Sequence, residues 1–76
     1  MKKKHVVRYA VIIEKGPESY GAYVPDLPGC VAAAETRDEV MSLIQEAMQF
    51  HIEGLKQKGL SVPAPSSAVE FVDVAA

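Results

Sequence analysis

The chain has 76 residues, a formal net charge of −2, 49% hydrophobic residues and 24% charged residues. This composition is ordinary for a soluble globular protein, argues against intrinsic disorder, and predicts a single small domain over residues 1–76. No apolar run approaches the roughly 18 residues of a membrane helix, and the one cysteine excludes an internal disulfide or a cysteine-based metal cage, so we expect a cytoplasmic protein without a membrane segment.

The basic residues are concentrated at the start of the chain. Lys2, Lys3, Lys4 and Arg8 precede any acidic residue. The chain after Arg8 contains four basic residues and ten carboxylates, so its net charge is about −6. Such an acidic body disfavours nucleic acid as the main ligand and would attract a basic partner. We interpret residues 1–5 as a flexible basic start; the alternative is a phosphate-binding arm that makes the chain a nucleic-acid-binding module.

Two strands and a hairpin turn are predicted for the first part of the chain. Residues 6–14 are rich in β-branched and apolar types, which is typical of a central strand covered on at least one side. Gly16 and Pro17 then mark a hairpin turn. Residues 19–24 follow as a second strand whose side chains alternate between two faces.

The stretch Tyr23-Val24-Pro25-Asp26-Leu27-Pro28-Gly29-Cys30 predicts a rigid bend between the second and third strands. Both prolines fix φ and lack an N–H, so neither fits inside a central strand. Asp26 can accept from backbone amides a residue or two ahead, and Gly29 can adopt the positive φ that ends such a turn. The bend can be pure architecture, or it can present a shaped loop to a partner.

A third strand over residues 30–35 is followed by one long helix. The alanines at 32–34 favour a helix by propensity, but Thr36-Arg37-Asp38-Glu39 is a capping box, in which the Thr36 hydroxyl accepts from the Glu39 amide and the Glu39 carboxylate reaches back to the Thr36 amide. The helix is therefore predicted over about residues 37–58. Gly59 suits the left-handed residue of a Schellman cap. One face of the helix is apolar and contains Val40, Leu43, Ile44, Ala47, Met48, His51, Ile52 and Leu55.

The last part of the chain is predicted as a connector and a strand. Residues 61–67 contain two prolines and three serines and read as an extended connector, and residues 68–74 alternate as a fourth strand. The expected fold is thus α+β, with the order β-β-β-α-β and one long helix packed on a four-stranded sheet. The helix and connector are long enough for a parallel crossover.

The sequence contains few residues in patterns that are typical of a catalytic or metal-binding site. Cys30 and His51 are the one pair that could serve a nucleophilic mechanism, but a lone histidine on an apolar helix face is ordinarily a core or subunit-interface residue. No metal-ligand spacing or phosphate-binding loop is present. We predict no enzyme, metal or cofactor; the alternative is a vestigial hydrolase that uses Asp26, Cys30 or His51. Without a second helical pattern, DNA binding is not expected unless a module is added.

Taken together, these motifs resemble the HicB family of antitoxin-type proteins over residues 7–74. The resemblance is carried by the bend at 23–30, by Thr36-x-x-Glu39, and by His51-Ile-Glu-Gly-Leu55 before Gly59 and Pro63-Ala-Pro-Ser66. The chain departs from the family at Ala34, where glycine is common, and at Val40, where alanine is common. Many family members also carry a helix-turn-helix or ribbon-helix-helix segment and repress their own operon, and no such pattern occurs within these 76 residues.

The resemblance implies a partial ribonuclease-H-like fold that lacks the acidic catalytic set. It also implies that the domain binds and neutralises HicA, a small basic toxin of double-stranded-RNA-binding fold that cleaves messenger RNA through a histidine. The alternative is an orphan HicB-like domain with another protein partner.

The sequence therefore predicts two groups of residues. The candidate partner-binding residues are Tyr23, Pro25, Asp26, Leu27 and Pro28, and the candidate structural residues are Gly29, Cys30, Thr36, Glu39, His51 and Gly59. Because the chain is short, has a broad apolar helix face and leaves free sheet edges, we also expect a homodimer or homotetramer.

Overall fold

A computed structural model describes residues 6–76 of the chain. Three strands and one helix follow one another as β1 (Ile12–Lys15), β2 (Tyr20–Tyr23), β3 (Val31–Ala34) and α1 (Arg37–Gln57). The predicted flexible start over residues 1–5 lies outside the described residues. The α+β class, three early strands and the long helix are confirmed, but the first strand covers Ile12–Lys15 rather than the predicted residues 6–14.

The three strands form an antiparallel sheet in the order β1-β2-β3. The β1–β2 hairpin is closed by the Gly16 amide, which donates to the Ser19 carbonyl at 2.7 Å. Ile12 pairs with Tyr23, and Tyr23 pairs with Val31, so these three residues form one row across the sheet. Because β1 has only β2 as a neighbour in the described part of the chain, the prediction that the first strand is central is wrong.

The fourth strand predicted over residues 68–74 is not formed by the single chain. Within residues 6–76 the sheet has three strands, and residues 61–76 have no regular secondary structure. Phe71, Val72 and Val74 are 93%, 80% and 78% exposed. An alternation of apolar and polar residues indicates that a segment can form a strand. The strand forms only where a sheet edge lies beside the segment and supplies backbone hydrogen bonds. The similarity of the fold to a partial ribonuclease-H-like fold stays a prediction.

The core lies between the sheet and the helix. Leu27, Val40 and Ile44 are its largest fully buried side chains, and Ala22, Val24 and Cys30 complete the buried cluster. The helix packs on β3 and β2. Leu43, which was predicted on the buried helix face, is 43% exposed, because it lies at the border of the apolar stripe, about 100° from its centre at 100° per residue.

Both helix ends are capped by side-chain and backbone hydrogen bonds. The Glu39 amide donates to Thr36 Oγ1 at 3.1 Å, while the Thr36 hydroxyl donates to Glu39 Oε1 at 2.9 Å. The glutamate thus meets the hydroxyl rather than the Thr36 amide that we predicted. At the other end Gly59 has φ of +70°, and the amides of Gly59 and Leu60 donate to the carbonyls of Lys56 and Leu55, which is the Schellman pattern.

Candidate partner-binding site

The bend between β2 and β3 consists of two consecutive β-turns. The Leu27 amide donates to the Val24 carbonyl at 3.1 Å, and the Cys30 amide donates to the Leu27 carbonyl at 3.0 Å. Each turn has proline at its second position, where the fixed φ of proline matches the φ that the turn requires. The second turn has Gly29 at its third position with φ of +86°. The Val24 amide donates to the Cys30 carbonyl at 3.2 Å and closes the base of the bend.

Leu27 joins the two turns and anchors the bend in the core. Its side chain has no exposed surface. This burial counts against the prediction that Leu27 contacts a partner, because the side chain is already enclosed by its own chain. Tyr23, which is 40% exposed, and the exposed Pro25 and Pro28 remain available on the outside of the bend.

Asp26 binds the connector rather than its own turn. Its Oδ2 accepts from the backbone amides of Ser66 and Ser67, both at 2.9 Å, and its Oδ1 accepts from their hydroxyls at 3.0 and 2.9 Å. A carboxylate offers about four lone-pair positions, so its acceptor capacity is filled. The local capping that we predicted for Asp26 is thus replaced by contacts with residues 40 and 41 positions away.

These hydrogen bonds determine the charge state of Asp26. The Ser67 amide, then the Ser66 amide and the serine hydroxyls, lower the pKa of this carboxyl to about 2 from its ordinary 3.8. The carboxylate therefore remains ionised throughout the neutral range. A second attachment lies nearby, because the Tyr9 hydroxyl donates to the Pro63 carbonyl. Together the two contacts hold the connector across the end of the sheet.

The face of the sheet opposite the helix is largely exposed in the part of the chain that the structure describes. Side chains alternate along a strand, so Ile12, Tyr23 and Val31 share this face. Val31 is 65% exposed and Tyr23 is 40% exposed, and Glu14, Ala33 and Glu35 on the same side are exposed as well. We call this surface, Ile12, Glu14, Gly21, Tyr23, Val31, Ala33 and Glu35, the open face. It adjoins the prolines of the bend.

The structure brings Cys30 and His51 to the same groove between the start of β3 and the later half of α1. Among the described residues no hydrogen bond joins them. Cys30 is buried, and burial raises the pKa of its thiol, so the thiol stays protonated. A nucleophilic cysteine needs the opposite, a lowered pKa and access to substrate. The arrangement therefore favours a packing role for Cys30.

No other cluster of chemical groups stands out in the part of the chain that the structure describes. Within residues 6–76 no three histidine, cysteine, aspartate or glutamate side chains lie close enough to hold a metal ion. In the same range no helix combines the length and apolar character needed to cross a membrane.

Sequence reasoning missed three features of this region. It did not connect Ser66 and Ser67 with Asp26, because nothing local links positions 40 residues apart. It also did not single out Val31 and Phe50, which are 65% and 79% exposed. Two signals in the sequence pointed to them: Val31 is a β-branched residue beside the bend, and Phe50 lies at the border of the apolar stripe of the helix.

Comparison with known proteins identifies the kind of domain that this sheet, bend and helix form. Residues 9–75 match the family described as the HicB_like antitoxin of bacterial toxin-antitoxin systems. A chain of the solved HicA3 and HicB3 toxin-antitoxin complex aligns with a TM-score of 0.67 and 33% identity, over 79% of this chain and 70% of that one. The chain belongs to the HicB-like antitoxin family.

Relatives occur in a phage, an archaeon and a cyanobacterium. An uncharacterized 14.9 kDa protein of Haemophilus phage HP1 is 35% identical over 86% of this chain, which spans 49% of the phage protein's length. A UPF0150 protein of Thermoplasma acidophilum is 38% identical over 75% of this chain and 84% of its own length. A Synechocystis UPF0150 protein is 34% identical over 93% and 91%. Family membership and the structural likeness support a toxin-antitoxin role.

Proposed function

We propose that this chain is an antitoxin that neutralises a small HicA-type, messenger-RNA-cleaving toxin by direct protein contact. The observation that carries the proposal is the row of half-buried Ile12 and exposed Tyr23 and Val31 beside a rigid, doubly turned bend. Exposed apolar side chains next to a fixed loop are typical of an interaction surface. Tyrosine is also enriched in protein interfaces.

The charges on the same face favour a basic partner. Glu14 and Glu35 lie on the open face and are exposed. The chain beyond its first eight residues carries about −6. A HicA-type toxin is small and basic in the family that the sequence resembles, so the two potentials are complementary. Such complementarity speeds association and excludes acidic competitors.

The exposure of each side chain indicates which of the predicted residues can contact the toxin. Tyr23, Pro25 and Pro28 are the predicted residues whose side chains are open to solvent. Leu27 is enclosed in the core, and the Asp26 carboxylate is saturated by serine donors. We propose that Asp26 and Leu27 support the surface from behind, while the tyrosine and the two prolines touch the toxin.

Three further properties complete the proposal. The chain is not an enzyme, which agrees with membership of an antitoxin family and with a protonated, buried Cys30. It acts in the cytoplasm, where messenger RNA is translated. It self-associates, because β1 and β3 each have one unpaired edge in the described sheet.

Co-purification and RNA cleavage test the proposal with two charge-matched variants. Tyr23 and Met41 are both 40% exposed, but Tyr23 lies on the open face and Met41 lies on the helix. The chain should co-purify with a small basic toxin encoded beside it and stop the toxin from cleaving RNA. Tyr23→Lys should weaken this inhibition at least tenfold, whereas Met41→Lys should leave it nearly unchanged.

Two results would contradict the proposal. A toxin that stays fully active in excess antitoxin would exclude neutralisation, and equal effects of the two lysine variants would exclude the open face. Retention on RNA that falls steeply with salt, and that deletion of residues 1–4 abolishes, would instead favour the nucleic-acid-binding alternative.

A further inference from the structure

Gly21 lies inside β2, where neither the backbone nor the packing of its own chain requires a glycine. Within residues 6–76 the glycines with positive φ are Gly29 and Gly59, so the backbone of Gly21 is one that other residues also adopt. Apart from its chain neighbours, the nearest atom to a Cβ at this position would be the Ala32 carbonyl oxygen, at an ordinary contact distance of 4.0 Å. Glycine weakens a strand and often marks a place where a ligand or another backbone comes close.

The missing side chain leaves a gap in the open face. Glu14 on β1 and Ala33 on β3 are the cross-strand neighbours of Gly21. The middle and one side of this row therefore carry almost no side-chain volume. Tyr23 lies two residues further along β2 on the same face, about 7 Å away. We call this gap, which lies over Gly21 and Ala33 and is bordered by Tyr23 and Glu14, the Gly21 notch.

The residues that border the notch favour a cationic occupant. The open face includes Glu14 and Glu35, which are both exposed, and it includes no lysine, arginine or histidine. The Tyr23 side chain is 40% exposed and supplies an aromatic ring at the same place. A cation gains from the ring and from the carboxylate together. An apolar side chain in the notch would instead remove water from Glu14 without giving it a partner.

Arginine suits the notch better than lysine. A guanidinium group is planar, so it can stack on a tyrosine ring while it donates two parallel hydrogen bonds to one carboxylate. Because Gly21 has no side chain, such a flat group can lie close to the backbone of β2. A lysine ammonium is a compact and strongly hydrated charge, and it gains less from a ring and a flat floor.

The groove between β3 and α1 has the opposite charge character. It is lined by His51 and Lys58, and its lining contains no acidic side chain. A basic partner is repelled there and attracted to the open face on the sheet. The charges of the two surfaces therefore place a cationic side chain in the notch rather than in the groove.

We infer that the Gly21 notch receives an arginine side chain of the partner protein. Its guanidinium group lies over Gly21 and Ala33, stacks on Tyr23 and pairs with Glu14. This inference rests on the proposed function, because the basic toxin supplies the arginine. It adds the chemistry of the contact: the antitoxin recognises its partner through the position of one arginine as well as through overall charge.

Inhibition of the RNA cleavage by the toxin encoded beside the chain tests the notch with two pairs of variants. Gly21→Val fills the gap with a residue that strands favour, so it should weaken inhibition by at least about tenfold without lowering the thermal unfolding temperature. Gly54→Ala fills a glycine of the helix instead and should leave inhibition unchanged. Glu14→Gln should weaken inhibition by at least about fivefold. Glu18→Gln removes the same charge from an exposed position in the hairpin turn and should have no such effect.

A hexaarginine peptide tests the same site without the toxin. In NMR titrations of the full chain it should shift the amide signals of Gly21 and Ala33 at lower concentrations than a hexalysine peptide does. Gly21→Val should abolish this difference between the peptides. Tyr23→Phe keeps an aromatic ring and should retain the preference for arginine, whereas Tyr23→Leu should lose it.

The results separate the notch from the proposed function. If Gly21→Val and Glu14→Gln inhibit the toxin as well as the wild-type chain does, the notch is overturned and neutralisation stands. If the wild-type chain fails to inhibit the toxin while hexaarginine still shifts Gly21 and Ala33, neutralisation alone is overturned. Equal shifts with the two peptides would overturn the assignment to arginine.

Discussion

Asp26 and Ser67 are 41 residues apart in the chain and are joined by two hydrogen bonds of 2.9 Å, one from the serine amide and one from its hydroxyl. Ser66 makes the matching pair of contacts with the same carboxylate. One side chain in the bend thus fixes the position of a connector that has no regular secondary structure.

The first prediction concerns the pH at which this attachment is lost. The pKa of Asp26 is lowered to about 2 in the folded chain and is about 3.8 otherwise. Its contribution to stability is therefore complete above pH 3.8 and disappears as the pH falls toward 2. The amide chemical shifts of Ser66 and Ser67 should titrate in NMR spectra with a midpoint near pH 2.

Asp26→Asn is the control for this titration. The amide group keeps the size of the side chain but has one acceptor oxygen instead of two. The two serine amides should then show no transition between pH 4 and pH 2. A wild-type midpoint at pH 3.8 or above would show that the contact does not exist in solution.

The second prediction concerns the anchor of the bend. Leu27→Ala should lower the free energy of unfolding by about 2–5 kcal/mol, because it leaves a cavity at a side chain with no exposed surface. Leu43→Ala is the matched control, since Leu43 is 43% exposed and should cost less than about 1 kcal/mol. Urea unfolding followed by circular dichroism measures both. Equal costs would contradict the burial of Leu27.

The third prediction compares two glycines that both have free space around them. Apart from the sequence neighbours and, at Gly54, the backbone of its own helix, no atom lies within 4 Å of a Cβ at Gly29 or at Gly54, so the backbone conformation decides the effect of alanine. Gly29 has φ of +86°, and Gly29→Ala should destabilise the domain by about 1–2 kcal/mol. Gly54 is helical, and Gly54→Ala should stabilise it by about 0.5–1 kcal/mol. Thermal unfolding should show shifts of opposite sign.

The fourth prediction concerns Cys30. Since the thiol is buried and its pKa is raised above the ordinary 9.0 by that burial, it should react slowly with a disulfide reagent in the native chain and quickly in urea. A Ser42→Cys variant adds an exposed thiol and supplies the fast reference. Equal native rates at positions 30 and 42 would contradict the placement of Cys30.

The same burial gives a pH dependence of opposite sign to that of Asp26. A thiol whose pKa is raised in the folded state stabilises the fold below its unfolded pKa, and this contribution is lost as the pH rises past about 9. Cys30→Ala should remove this alkaline part of the stability curve.

Local features were predictable from sequence because their causes are local. The capping box at Thr36, the glycine at 59 and the 3.6-residue period between them define the helix to within one residue at each end. The two Pro-containing turns of the bend likewise depend on neighbours in sequence. The burial of Leu27 was not predictable, since a leucine between two turns has the same sequence signature whether it points inward or outward.

Features that depend on distant contacts were not predictable in the same way. The partners of Asp26 are 40 residues away, and no pattern around Asp26 distinguishes them from nearby amides. The alternation over 68–74 correctly marks a segment with strand character, yet it says nothing about which sheet edge is free. The exposure of Phe50 likewise depends on a distant contact, because this side chain lies beside the groove between β3 and α1 and is 79% exposed.

The attachment of the connector also sets the reach of the segment that follows it. Measured from Leu60, the chain to residue 74 could span about 46 Å, but measured from Ser67 it spans about 23 Å. A shorter tether restricts residues 68–74 to positions nearer the bend. The Asp26 carboxylate therefore halves the distance that the last residues of the described chain can reach from their last point of attachment.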